Sequence, residues 1–155
     1  MLDSSISTAL GKLHIVLTGA DGNVKYEKTV PNTVVNTGKA FIAQSMLKTT
    51  TNTPAAMTHM GVGTGTTAAA VTQTALVTEI GTRSAVTPSN TTVTVTDDTA
   101  QYVATFAAGN ATGAIAEAGI FNASSAGTML CRTSFGVINK GADDTLTITW
   151  RVSIT

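Results

Sequence analysis

Residues 144–155 read DTLTITWRVSIT, and their side chains alternate without a break. Leu146, Ile148, Trp150, Val152 and Ile154 fall to one side; Thr145, Thr147, Thr149, Arg151, Ser153 and Thr155 fall to the other. Successive side chains of a β-strand point to opposite faces, whereas a helix returns to the same face every three to four residues. The run is therefore a strand with one face in an apolar core and the other in water. At about 3.3 Å per residue it extends over roughly 36 Å, enough to cross a whole sheet or to run along a subunit interface.

The rest of the chain agrees with a sheet. Threonine makes up roughly a fifth of the residues, and its β-branched side chain suits strand faces that meet water. KLHIVLT (12–18) and VKYEKTV (24–30) flank Asp21-Gly22, a hairpin signal, and Pro31 ends the second run because proline lacks the ladder donor. Further strands are expected in MTHMGVG (57–63), LVTEIGTRSAVT (76–87), NTTVTVT (90–96), QYVATFA (101–107), AIAEAGIF (114–121) and TMLCRTSFGV (128–137). One helix is predicted at 37–48, capped by Asn36 or Thr37, with Phe41, Ile42, Met46 and Leu47 near one face at helical spacing. The segment 49–56, TTTNTPAA, breaks it as a loop.

Residues 1–11 are small and polar, with Gly11 as a hinge, and read as a flexible N-terminal arm. The expected class is mainly β: an antiparallel β-sandwich-like domain over 12–155 with one short α-helix. At 155 residues, such a domain buries roughly two-thirds of its unfolded surface and requires no disulfide or metal staple. The N-terminus carries Asp3 in place of a basic patch and no stretch is apolar enough to span a membrane, which predicts folding in a cytosol.

Nine basic and nine acidic residues cancel, and only 12% of the chain is charged. Neither nucleic acid nor an anionic membrane is an expected partner of such a surface. Low charge density also does little to keep copies apart, which hints at an assembled life. GTGTTA (Gly63 to Ala68) fits the loose dinucleotide pattern G-x-G-x-x-A. A phosphate cradle, however, needs a helix of ten or more residues after the glycines within a parallel βαβ unit, and TTAAAVTQTALVTEI offers none. A turn where the backbone passes close to a neighbour is the expectation.

No residue stands out as catalytic, cofactor-binding or metal-ligating. His14 and His59 lack a second ligand at a useful spacing. Cys131, the single cysteine, has no His or Lys beside it and reads as a small buried residue. Glu79 and Glu117 interrupt apolar or small runs and are expected to close ion pairs with Arg83, Arg132 or Arg151, within the fold or across subunits.

The order of pieces adds a resemblance. DGNV…NTVVNTGKAFIAQSML, MGVGTGTTAAAVTQTALVTEIGTR and above all EAGIFN…GTMLCRTSF…KGADDTLTITW resemble a group of tailed-phage and prophage virion proteins, over about residues 12–155. The resemblance implies a β-rich virion subunit, commonly a homotrimer, that binds an assembled lattice and no small molecule. Because no coiled-coil, collagen-like or repetitive shaft is present, the expectation is a capsid decoration (cement) protein on the outer head surface. Its partners would be the major capsid protein lattice and copies of itself, contacted through the arm, the 49–56 loop, and the last strand. A tail-fibre or baseplate-associated protein is the alternative. A carbohydrate-binding module is a third reading, and it would require an exposed aromatic platform from Tyr26 or Tyr102.

Overall fold

The computed structural model describes residues 9–47 and 53–154. Among the described residues, ten strands form two antiparallel five-stranded sheets, accompanied by one helix. The first sheet contains β1 (Ala9–Thr18), β2 (Val24–Pro31), β6 (Thr87–Thr91), β7 (Thr99–Phe106) and β10 (Thr145–Ile154), in the order β2-β1-β10-β7-β6. The second contains β3 (Thr33–Val34), β4 (His59–Gly63), β5 (Glu79–Ala85), β8 (Gly113–Phe121) and β9 (Met129–Lys140), in the order β3-β9-β8-β4-β5. The expected β-sandwich-like class is the one observed.

Strand β10 lies at the centre of the first sheet. It pairs with β1 from Ala9↔Ile154 to Thr18↔Thr145, and on its other side with β7 from Leu146↔Phe106 to Ser153↔Thr99. Its apolar stripe faces inward as the alternation dictates: Leu146, Ile148 and Trp150 are completely buried. They meet Leu13 and Ile15 of β1, Phe106 of β7, and Met60, Val62, Ile115 and Ile120 of the second sheet in one core. Burial of this kind contributes about 25 cal/mol per Å² of apolar surface, so the sandwich is held chiefly by this layer.

Strand β8 shows no alternation because both of its faces are covered. Ile115, Ala118 and Ile120 join the central core, while Glu117 and Phe121 are buried beneath the 64–78 segment. There Leu76, Phe121, Met129 and Val35 make a second apolar cluster. A strand buried on two sides carries small and apolar residues throughout, and AIAEAGIF does so with a single exception, Glu117.

Helix α1 (Asn36–Leu47) begins one residue before the expected position and ends one residue before it. Thr37 does not cap: its hydroxyl donates to the Met129 carbonyl of β9 at 2.7 Å, tying the helix start to the second sheet. Gly38 lies so close to the Leu130 carbonyl that a Cβ would overlap it. Phe41 and Ile42 pack on the core, whereas Met46 and Leu47 are 75% and 69% exposed, so the predicted apolar face splits in two.

Two further expectations fail. Gly11 is not a hinge but a strand residue paired with Val152, and a Cβ there would collide with Asn32; residues 1–8 of the arm lie outside the described residues. The strand expected at 90–96 falls instead on Thr87–Thr91. The reason is Asp98, whose carboxylate accepts the amides of Val93, Thr94 and Val95 and folds TVTVT into a loop, leaving Val93 and Val95 exposed. Pro88 is tolerated because β6 is an edge strand paired only with β7.

Candidate functional site

The opening glycine motif is built around a carboxylate of the chain itself. Gly65 donates its amide to Glu117 Oε1 at 3.1 Å and Thr78 does so at 2.7 Å, while Val77 donates to Oε2 at 2.9 Å. Arg132 closes the other side, its Nε and Nη2 donating to Oε2 at 2.9 and 2.7 Å. Both side chains are fully buried. The guanidinium also donates to the Gln73 side chain and the Thr67 carbonyl, so one ion pair gathers both ends and the middle of the 64–78 segment. Glycine is needed because a Cβ at position 63 or 65 would press against Glu117 Oε1. The amide that a dinucleotide phosphate would claim is thus already engaged, and an irregular loop, not a helix, follows β4.

Glu79 and Arg83 form the second pair, at 2.6 and 3.0 Å. Arg83 also donates to the carbonyls of Ala123 and Ala126, and its guanidinium stands 3.4 Å from the Phe121 ring centroid, a cation–π contact. The pair clamps β5 to the hairpin between β8 and β9. Both acids therefore close pairs within one chain, as two of the three expected arginines allow; Arg151 donates to Gln101 instead.

His14, His59 and Cys131 each sit in a strand of the sandwich, β1, β4 and β9. His14 Nε2 lies 2.8 Å from Glu27 Oε1 across the β1–β2 ladder, a partner that sequence spacing alone did not reveal. His59 Nδ1 meets the Thr58 hydroxyl at 2.9 Å. Cys131 is fully buried, and burial pushes its thiol well above the ordinary range, which opposes thiolate chemistry. Among the described residues no group of three or more His, Cys, Asp or Glu side chains is arranged to hold a metal ion, and no helix is long and apolar enough to cross a membrane.

Two surface features remain. A groove of about 440 Å³ runs between α1 and the first sheet, lined by Phe41, Ile42, Met46, Tyr102, Leu130 and Val152. A larger cleft, about 780 Å³, lies on the outer face of the first sheet, over Lys12, His14, Thr149, Arg151 and Ser153, with Val93 at its wall. Of the three expected contact regions, the last strand has both edges paired, so it offers a neighbour only its polar face. Residues 49–52 of the 49–56 loop lie outside the described residues, and 53–56 are irregular. Tyr26 and Tyr102 both pack against the core, and burial raises the Tyr102 phenol above its ordinary range; neither ring forms an exposed platform.

No protein-family model matches the chain, and no curated protein or solved structure matches it significantly.

Proposed function

We propose that this chain is a capsid decoration protein of a tailed phage or prophage, binding the outer surface of the assembled head as a homotrimer. The observation that carries the reading is the groove beside α1. Exposed Met46 and Leu47 stand at the end of a helix whose inner side is apolar, and exposed apolar surface rimmed by polar residues marks protein interaction sites. It is supported by the resemblance of 117–150, which forms the continuous β8-β9-β10 segment of the fold.

In this reading the sandwich is a rigid cap. Its stabilising effect comes from linkage: a ligand that binds the assembled shell and not the separated subunits shifts the equilibrium toward assembly. Many modest contacts across a trimer add through effective concentration. Residues 1–8 precede β1, a strand paired on both sides, with β2 and with β10.

The packing of Tyr26 and Tyr102 disfavours a sugar-binding role. The test is to separate heads from tails of the source particle, assay each for this chain, and image the positive fraction by electron cryo-microscopy. Many copies on the outer head surface support the proposal; presence in tails alone replaces it with the baseplate reading, and absence from both removes the virion assignment.

A further inference from the structure

The cleft on the outer face of the first sheet contains an arrangement that the fold itself does not use. Lys12 and Arg151 are direct cross-strand partners in the β1–β10 ladder, and like charges set opposite one another work against sheet stability. Two of the chain's three arginines close on carboxylates, Arg83 on Glu79 and Arg132 on Glu117. Arg151 does not: its Nε donates to the neutral Gln101 Oε1 at 2.8 Å, and its two terminal nitrogens, like Lys12 Nζ, meet no acceptor among the described residues. The carboxylates attached to the rim are themselves engaged, Glu27 with His14 and Asp98 with three backbone amides.

We propose that this cleft binds an acidic peptide segment of a partner protein, with a side-chain carboxylate seated on Arg151 and Lys12. The guanidinium fork is free at the edge that receives a carboxylate in a bidentate pair. The Thr99 hydroxyl gives its single proton to Asp98 and so receives that of Ser153, which leaves the Thr149 hydroxyl in the lining to donate. Val93, 60% exposed, gives the wall an apolar surface for the aliphatic part of a glutamate and its neighbours. A polyphosphate or nucleic acid fits less well, because a chain of zero formal net charge that brings two free cations to this cleft lacks the field that draws such polymers. The inference does not rest on the capsid reading.

The experiment uses the purified full chain and a fluorescein-labelled hexaglutamate peptide, followed by fluorescence anisotropy at low and moderate salt, with hexaglutamine as the neutral control and inorganic phosphate as competitor. The expected result is binding of hexaglutamate alone, weakened by salt. R151Q and K12Q should each weaken it about two- to fivefold, while K39Q, which removes an exposed lysine on α1, leaves it unchanged. Thermal melts confirm that each variant is folded, and K12Q decides the matter if R151Q is not. No binding of hexaglutamate, equal binding by R151Q and K12Q, or an equal loss in K39Q overturns the proposal. Complete displacement by millimolar phosphate also overturns it, in favour of a simple anion site. Particle fractionation has no bearing on any of these outcomes, so this proposal and the capsid reading fail separately.

Discussion

Replacing Glu117 by glutamine keeps the shape of the side chain and removes its charge. In the native structure the two carboxylate oxygens receive five N–H groups: Gly65 and Thr78 on Oε1, and Val77 and two from Arg132 on Oε2. A glutamine has one oxygen, and its NH₂ group, itself a donor, must face donors at the other position. Arg132 is fully buried and would be left as a charged group without its counter-ion. Breaking a buried pair from one side costs about 3–5 kcal/mol, against a total stability of about 5–15 kcal/mol for a domain. For a chain of this size each kcal/mol moves Tm by about 2–4 °C, so E117Q should melt roughly 6–20 °C below the parent. The urea midpoint should fall with little change in slope. Because the lost bonds hold the 64–78 segment, limited proteolysis should show new cleavage there before global unfolding. Adding R132M should recover part of the loss, since an uncharged pair leaves no buried ion. A drop of less than about 1 kcal/mol in E117Q, the size of an ordinary exposed pair, would refute the claim that this carboxylate organises the loop.

Gly65→Ala should destabilise the same segment, because the added Cβ would lie 2.5 Å from Glu117 Oε1 and 2.7 Å from Val77 Cβ; an unchanged melt and proteolysis pattern would show that the loop shifts freely. Trp150 is fully buried, so its emission should be blue-shifted and poorly quenched by iodide, and free quenching would place the inner stripe of β10 in water. The Asp98 carboxylate is held far below its ordinary 3.8 by the amides of Val95, Val93 and Thr94, and Asp144 is lowered by Lys25 and the Gly141 amide. Groups depressed in the folded state stabilise it above the unfolded pKa and lose that contribution as pH falls toward the folded one. The parent should therefore weaken below about pH 4, and D98N should flatten that acid limb in denaturation midpoints measured across the range. Under the capsid proposal, removing residues 1–8 should leave the melt intact and weaken attachment to heads; removal through Gly11 should also lower Tm, since it deletes three residues paired with β10.

What the sequence made legible was whatever depends on neighbours in the chain. The period-two stripe of β10, the Asp21-Gly22 turn and the helix boundaries all rest on local patterns, and each appears within a residue or two of expectation, whereas β1 begins three residues early, at Ala9. Glu79 and Glu117 could be matched to arginines because an acid inside a small-residue run needs a counter-ion. Their partners' further roles could not be read: Glu117 meets Gly65 across 52 residues and Arg132 meets Thr67 across 65, distances at which sequence carries no register. The failure at 90–96 has the same origin in reverse. Valine and threonine alternate there as in a strand, yet one aspartate collects three successive amides and outweighs the propensity. The cleft residues Lys12 and Arg151 gave no signal because their juxtaposition exists only once β1 and β10 are paired; Arg151 was singled out in the sequence as a counter-ion candidate, a role that the fold does not give it.

The pairing of β1 with β10 also sets an order of events in synthesis. The β1–β2 hairpin is complete once Pro31 has emerged, but the strand that covers its other flank begins at Thr145. At about 5–20 residues per second, the hairpin waits on the order of ten seconds with Leu13, Ile15 and Leu17 uncovered. The first sheet thus cannot close cotranslationally from its N-terminal side; it nucleates late, across nearly the full sequence separation, which is the slow, topology-limited regime of folding. Whenever several copies are made side by side, that interval is when neighbouring nascent chains compete with β10 for the same open edge.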